Sequence, residues 1–138
     1  MEKIIVGMLG ARMHYAVPKI LHDLNYLDRF YTDFYIGNKP KIGKIIKHAS
    51  KVYSHPELHR ALGRDAKTIP NDYVTSFDSL GISYAIARRK AKSYSEQSQI
   101  FLEYARKFNS KIIEKGFGTA DFIWGFNTAS KEMFKAAK

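Results

Sequence analysis

The stretch "VGMLGARMHYAVPKIL", Val6 to Leu21, decides the fold. An apolar run ends at Gly10, a short turn with an arginine and a histidine follows, and apolar residues then return at helical spacing. The run from Lys3 to Leu9 is rich in β-branched residues and too short for an independent helix, which indicates a buried strand of a parallel sheet. The stretch therefore predicts a strand, a polar turn and a helix.

The helix is expected to begin near Tyr15 or Ala16. Pro18 then lies in the first helical turn, where its missing N–H has no partner to lose. The apolar residues that recur three or four positions apart on one face are Val17, Ile20, Leu21, Leu24 and Leu27. A second strand is predicted from Arg29 to Ile36, and the resulting βαβ unit should have a right-handed connection.

Three more helical regions and two more strands follow from periodicity and turn signals. The predicted helices are one with Ile42, Ile45, Ile46, Ala49 and Val52 on its apolar face, one from Pro56 to Leu62, and a long pattern from Tyr84 to Phe117. Within the long pattern, Ser93 and Glu96 match a capping box, so a second helix is expected to start there. The predicted strands are Asp72 to Phe77 and a buried strand from Ala120 to Asn127.

Thr128 is expected to cap a final helix, from Ala129 to Lys138. A helix after a parallel strand normally leads to another strand, and the printed sequence ends first. Residues 1–138 are thus predicted to form one α/β domain, a Rossmann-like parallel sheet flanked by helices, which stops before its last strands.

Composition narrows the function classes. A chain of 138 residues can fold on its own core, and the absence of cysteine excludes disulfides and thiolate metal sites and favours a reducing compartment. No apolar run approaches the roughly 18 residues that a membrane span needs. The apolar run at the N-terminus is too short, and polar residues follow it too early, for a signal peptide. The predicted location is cytoplasmic.

A net charge of +10 favours an anionic partner: nucleic acid, anionic lipid or a phosphorylated small molecule. The alternative is a solvated basic surface with no dedicated polyanion. The densest basic run, Ala87 to Ser93, contains the candidate membrane or polyanion contacts Arg88, Arg89, Lys90 and Lys92. No aromatic pattern of an RNA-recognition sheet accompanies it, so nucleic acid is the less favoured partner.

The turn after the first strand lies where a doubly wound sheet meets phosphates. Its glycines, Gly7 and Gly10, do not make the dinucleotide fingerprint, and no phosphate-binding GxxxxGK[ST] motif occurs. Asp33 falls near the position of a ribose-binding acid, with a structural or solvent-facing aspartate as the alternative. His14 is either a proton-transfer group at a helix N-terminus or a histidine that bonds the turn backbone.

Other chemistry-bearing patterns are weak. His55 and His59 have the i, i+4 spacing of a metal pair, but no third ligand is identifiable, so no metal site is predicted. No nucleophile elbow is present, and the catalytic residues stay unassigned.

Three stretches, "GARMHYAVPKILHDLNYLDRFYTDFY", "SLGISYAIARR" and "FNSKIIEKGFGTADFIWGFNTASKEMFKAAK", together resemble the N-terminal, acceptor-side domain of bacterial glycosyltransferases of family 4 type, which have the GT-B fold. The resemblance covers most of the chain in the same order. It implies two Rossmann-like domains across a cleft, of which this chain is the acceptor-binding half. The isolated chain is then expected to be inactive and to hold no cofactor, because the nucleotide-sugar donor binds the other domain.

The resemblance also implies site residues and partners. Gly10, Ala11 and Arg12 match the turn that approaches the cleft, and His14 and Tyr15 would line its floor. Many relatives have a D-x-x-H-x-H pattern after the later strand; here Asp121 is followed by Trp124 and Phe126, which replace both histidines. Gly125 and Asn127 would border the cleft, with Asn127 able to hydrogen-bond a sugar hydroxyl.

The implied acceptor is a sugar or a lipid-linked, cell-envelope molecule at the inner face of the membrane, where basic charge would hold the protein peripherally. The alternatives from other classes are a basic module that binds nucleic acid and a scaffold domain derived from an enzyme.

Overall fold

The computed structural model describes residues 1–53 and 55–137. Within these ranges the chain forms four strands and six α-helices. In chain order they are β1 (Ile4–Met8), α1 (Ala16–Asp23), β2 (Leu27–Thr32), α2 (Pro40–Val52), α3 (Pro56–Leu62), β3 (Val74–Ser76), α4 (Asp78–Lys90), α5 (Tyr94–Lys115), β4 (Phe122–Gly125) and α6 (Lys131–Ala136). Short 3₁₀ segments precede α1, at Arg12–Tyr15, and β3, at Asn71–Tyr73.

The strands form one parallel sheet in the order β3-β2-β1-β4. The chain moves outward from β1 to β3 and then crosses back to place β4 on the other side of β1. Ligands of such sheets bind beyond the carboxyl ends of the strands, at the point where the order reverses. Here that point lies between β1 and β4.

Helices cover both faces of the sheet. Ile5 and Tyr31 face a core made with α4, α5 and α6, and Val6 and Phe30 face a second core that includes Tyr15 and Leu21. Burial on both faces explains the continuous apolar run of β1. The α/β class, with a Rossmann-like parallel sheet flanked by helices, is therefore confirmed.

The boundary between α1 and β2 differs from the prediction. The helix ends at Asp23, and Asn25 adopts a left-handed conformation with φ 60°. Leu27 therefore belongs to β2, not to the helix, and β2 ends at Thr32 rather than Ile36. Asparagine tolerates the left-handed region, so a chain reversal takes the place of the last predicted helical turn.

The capping box divides the long helical pattern as predicted. The Ser93 hydroxyl accepts a hydrogen bond from the Glu96 N–H at 3.1 Å, and the Glu96 carboxylate accepts one from the Lys92 N–H at 2.6 Å. The first bond satisfies a backbone donor that the start of α5 leaves free, and the second ties the residue before the N-cap to the first helical turn. The second half of α5 then packs Ala105, Phe108 and Ile112 into the core of its own domain.

The last strand and helix differ from the prediction in two respects. β4 is an edge strand of four residues with half-exposed Phe122 and Trp124, so the prediction of a buried strand is wrong. Thr128 has φ 69° and does not cap the last helix, which starts after Ser130. The predicted terminal residue of that helix, Lys138, lies outside the described residues.

The apolar face predicted for α2 exists but is only partly covered: Ile42, Ile45 and Val52 are exposed, and no residue of α2 is fully buried. Across residues 1–53 and 55–137, no helix combines the length and apolar character that crossing a bilayer requires.

Candidate functional site

The turn after β1 and the segment after β4 meet at the reversal point of the sheet. The Arg12 guanidinium donates a hydrogen bond to the Asn127 side-chain oxygen at 3.4 Å and lies 5.6 Å from the centre of the Phe126 ring. We call residues 10–15 and 125–127 the switch-point site. The topology thus brings together two groups of predicted site residues that are more than a hundred positions apart in sequence.

The turn has an unusual backbone. Gly10 has φ 88°, and the consecutive residues Met13, His14 and Tyr15 have φ 49°, 50° and 63°. The left-handed region costs a non-glycine residue roughly 1–2 kcal/mol. Such conformations persist only where the surroundings enforce them, and they are concentrated at functional sites.

Asp33, at the end of β2, fixes the start of the turn. One of its carboxylate oxygens, Oδ1, accepts hydrogen bonds from the Gly10 N–H and from the Arg64 guanidinium, each at 2.8 Å. Asp33 is only 1% exposed, so the solvent-facing alternative is wrong and the residue occupies a structural position. Its second oxygen, Oδ2, is buried and has no hydrogen-bond partner among residues 1–53 and 55–137.

Tyr15 anchors the end of the turn. Its ring is fully buried against Phe30 and Tyr35, with centroids 5.1 and 6.2 Å away, and its hydroxyl donates to the Phe34 carbonyl at 3.3 Å. Burial raises the pKa of the Tyr15 phenol far above its usual range. The side chain offers no surface to a ligand, so it supports the turn from within and does not line a cleft floor.

His14 and Met13 project outward from the turn and are exposed, Met13 by 73%. The His14 backbone N–H donates to the Ala11 carbonyl at 3.3 Å. Within the part of the chain that the structure describes, the imidazole makes no hydrogen bond. The ring is therefore available to solvent and to a ligand. This differs from the alternative in which the histidine bonds the turn backbone.

Glycines at the ends of β1 and β4 let helices approach the site. Gly7 and Gly125 are paired across the two strands. A Cβ on Gly125 would lie 2.3 Å from the Ser130 hydroxyl, and one on Gly7 would lie 3.1 Å from Met133 and Ile112 side-chain atoms. Gly125 thus borders the site through its backbone, and its small size is required by the start of α6.

The remaining predicted residues lie elsewhere. Arg88 and Arg89 line a groove between α3 and α4, whereas Lys90 and Lys92 do not. His55 caps α3, where its Nδ1 accepts a hydrogen bond from the Glu57 N–H at 3.3 Å. No group of three or more histidine, cysteine, aspartate or glutamate side chains in the described ranges could hold a metal ion.

Sequence reasoning missed Arg64 and Asn109. Arg64 follows the glycine that ends α3, and nothing in the local pattern indicates its ion pair with Asp33. Asn109 is fully buried in the apolar stripe of α5, where it bonds the carbonyls of Ala105 and Ala129 at 2.7 Å and the N–H of Met133 at 3.2 Å. A polar residue in an otherwise apolar stripe is the one signal that could have revealed it.

Comparison of the chain with known protein families, curated proteins and solved structures gives no match.

Proposed function

We propose that the chain is the acceptor-binding domain of a sugar-nucleotide-dependent glycosyltransferase. The observation that carries the proposal is the switch-point site, where a left-handed turn presents Arg12 beside Asn127, together with an exposed His14, at the position where parallel sheets bind ligands. The three family-like stretches supply the turn, α4 and the segment around β4.

The groups at this site suit recognition of a polyhydroxylated ligand. The Asn127 amide can both donate to and accept from sugar hydroxyls, and the Arg12 guanidinium offers several N–H donors in a fixed plane. The exposed His14 imidazole can exchange a proton with an acceptor hydroxyl. The donor nucleotide sugar belongs to a second domain in this proposal, so the 138-residue chain by itself transfers no sugar.

NMR titration of the chain with simple methyl glycosides tests acceptor binding. We expect the backbone amides of residues 10–14 and of Asn127 to shift, with weak affinity near ~1 mM because one domain supplies only part of the contacts. Arg12→Gln should reduce these shifts, whereas Arg106→Gln, which removes an exposed arginine from α5, should not.

Three outcomes contradict the proposal. The first is the absence of shifts at the switch-point site for every glycoside tested. The second is equal loss in both arginine variants. The third is tight RNA binding that weakens steeply with salt, which is the behaviour of a nucleic-acid module. Extension of the reading frame beyond Lys138 gives an independent check: a second α/β domain with glycosyl-transfer activity supports the proposal.

The membrane part of the proposal rests on α2, not on the basic run of α4. Ile42, Ile45 and Val52 on one side of α2 are 46%, 68% and 66% exposed. Lys44, Lys47 and Lys51 lie on the opposite side, and Lys41 flanks the apolar side. An amphipathic helix with a partly uncovered apolar face and a lysine-rich polar face suits the surface of an anionic membrane.

Co-sedimentation with vesicles tests this surface. Binding should be strong to vesicles rich in phosphatidylglycerol and weak to pure phosphatidylcholine. Ile45→Gln should weaken it about tenfold or more, since a buried isoleucine contributes about 1.5–3 kcal/mol. Ile86→Gln, at a 51% exposed isoleucine of α4, is the matched control. Binding that ignores lipid charge, or equal loss in both variants, contradicts an α2-mediated contact.

A further inference from the structure

A groove with a cavity volume of about 400 Å³ separates α3 from α4. On the α3 side, Arg60 and Arg64 are four positions apart and line the same wall. On the α4 side, Arg88 and Arg89 line the opposite wall, and Phe34 and Tyr84 contribute aromatic surface. One arginine from α3, one from the loop after it and two from α4 thus line one cavity.

Carboxylates neutralise only part of this charge. Arg64 pairs with buried Asp33 at 2.8 Å, and Arg60 pairs with Glu57 at 2.9 Å. Among the lining residues that the structure describes, Glu57 is the one with an acidic side chain. Neither Arg88 nor Arg89 has a carboxylate within 4.0 Å among residues 1–53 and 55–137. The lining of the cavity therefore has a net positive charge, which attracts anions.

Two of the arginines are held in position before any ligand arrives. Arg64 is only 24% exposed at its side chain and is fixed by its bond to Asp33. The Arg88 guanidinium lies 5.7 Å from the centre of the Tyr84 ring, a cation–π arrangement that orients its plane. A guanidinium that is already oriented loses less entropy when it binds an anion with two parallel N–H donors.

The floor of the groove is apolar and closely packed. Tyr84 is 8% exposed, and Gly81, one turn earlier in α4, has no side chain. A Cβ at Gly81 would lie 2.5 Å from the Asp33 carbonyl oxygen, so this glycine lets α4 approach the segment after β2. The cavity thus combines guanidinium walls with an aromatic floor.

We propose that the groove binds a small molecule in which a phosphate or diphosphate group is joined to an apolar or ring-shaped moiety. The phosphate oxygens contact the arginines, and the ring packs against Tyr84 and Phe34. The cavity volume falls within the usual range for small-molecule sites. This site shares no residue with the switch-point site, so it stands or falls independently of the glycosyltransferase proposal.

Calorimetric titration of the full chain tests the proposal, with inorganic phosphate, inorganic pyrophosphate and phenyl phosphate as the probes. Phenyl phosphate should bind more tightly than inorganic phosphate because only the former reaches the aromatic floor. The double variant Arg88→Gln/Arg89→Gln should weaken binding by about tenfold per arginine. The double variant Lys90→Gln/Lys92→Gln removes the same charge from the same basic run outside the groove and should bind as wild type.

Each other result overturns the proposal. Equal weakening in the two double variants indicates diffuse electrostatic attraction, and no binding of any probe at about 10 mM indicates no site. A third result is capture of the protein by vesicles that contain phosphatidic acid. If this capture is lost in Arg88→Gln/Arg89→Gln and phenyl phosphate does not compete with it, the phosphate comes from a lipid surface and not from a free small molecule.

Discussion

The ion pair between Asp33 and Arg64 provides the sharpest test of how the turn is held. Replacement of Asp33 by asparagine keeps the shape of the side chain and one oxygen that can accept from the Gly10 N–H. The variant loses the charge that Arg64 faces at 2.8 Å and puts an N–H₂ group in place of a carboxylate oxygen in a buried position.

The size of the effect follows from the burial of the two partners. Removal of one partner from a fully buried ion pair costs about 3–5 kcal/mol. Because the Arg64 side chain is 24% exposed, its guanidinium regains part of its hydration, and we expect a loss of about 2–3 kcal/mol in the free energy of unfolding. Asp33→Ala also loses the bond to Gly10, and about 4 kcal/mol is expected.

Urea unfolding followed by circular dichroism measures both losses of stability. The control is Asp23→Asn, which changes a 66% exposed side chain and should stay within about 0.5 kcal/mol of wild type. Hydrogen exchange of the Gly10 amide reports the turn directly and should accelerate in Asp33→Ala more than global destabilisation explains. A loss below about 0.5 kcal/mol in Asp33→Asn would refute the reasoning.

Three further predictions concern the core, the turn and alkaline pH. Asn109→Ala should lower the free energy of unfolding by about 2–4 kcal/mol, because it leaves the Ala129 carbonyl and the Met133 N–H buried without a partner. A urea midpoint equal to that of the wild type would contradict this. Met13→Gly should leave the free energy of unfolding unchanged or raise it by up to about 1 kcal/mol, since glycine adopts φ 49° without strain. Ala87→Gly inside α4 should instead lower it by about 1 kcal/mol, and the same urea assay compares the two variants. Burial raises the pKa of Tyr15, Tyr31, Tyr35 and Tyr84, so above pH ~10 the unfolded chain releases phenolic protons that the folded chain keeps. Stability should therefore be complete below pH ~10 and fall above it, by up to about 1.4 kcal/mol per pH unit for each tyrosine; urea midpoints that rise between pH 9 and pH 11 would contradict this sign.

The sequence predicted those parts of the fold that depend on local patterns. β1, the start of α1 after the polar turn, and the capping box at Ser93 follow from periodicity and side-chain chemistry within a few residues. The same local reasoning failed at Leu27, where the apolar spacing suits a helix and the left-handed Asn25 ends it. It also failed for β4, because an apolar run does not reveal whether a strand lies at the centre or the edge of a sheet.

The sequence was sufficient to predict where the candidate site lies, but not which hydrogen bonds and ion pairs hold it in place. The strand-to-helix turn with Arg12 is visible in the sequence, and its proximity to Asn127 follows from the parallel order of the strands. The bonds that hold the turn depend on Arg64, which is brought to Asp33 by the packing of the loop after α3. Contacts between segments separated by some thirty residues leave no periodic trace in the sequence.

The shared oxygen of Asp33 has a consequence for communication within the molecule. Because Oδ1 accepts from both the Gly10 N–H and the Arg64 guanidinium, the backbone of the switch-point turn and the wall of the arginine groove compete for one acceptor. If an anion in the groove weakened the bond between Arg64 and Asp33, the same oxygen would be expected to bond Gly10 more strongly. Thermodynamic linkage would require any such effect to be reciprocal, so that a ligand that tightens the turn would favour anion binding by the same factor. The buried Asp33 carboxylate is therefore a structural link between the switch-point turn and the lining of the arginine groove.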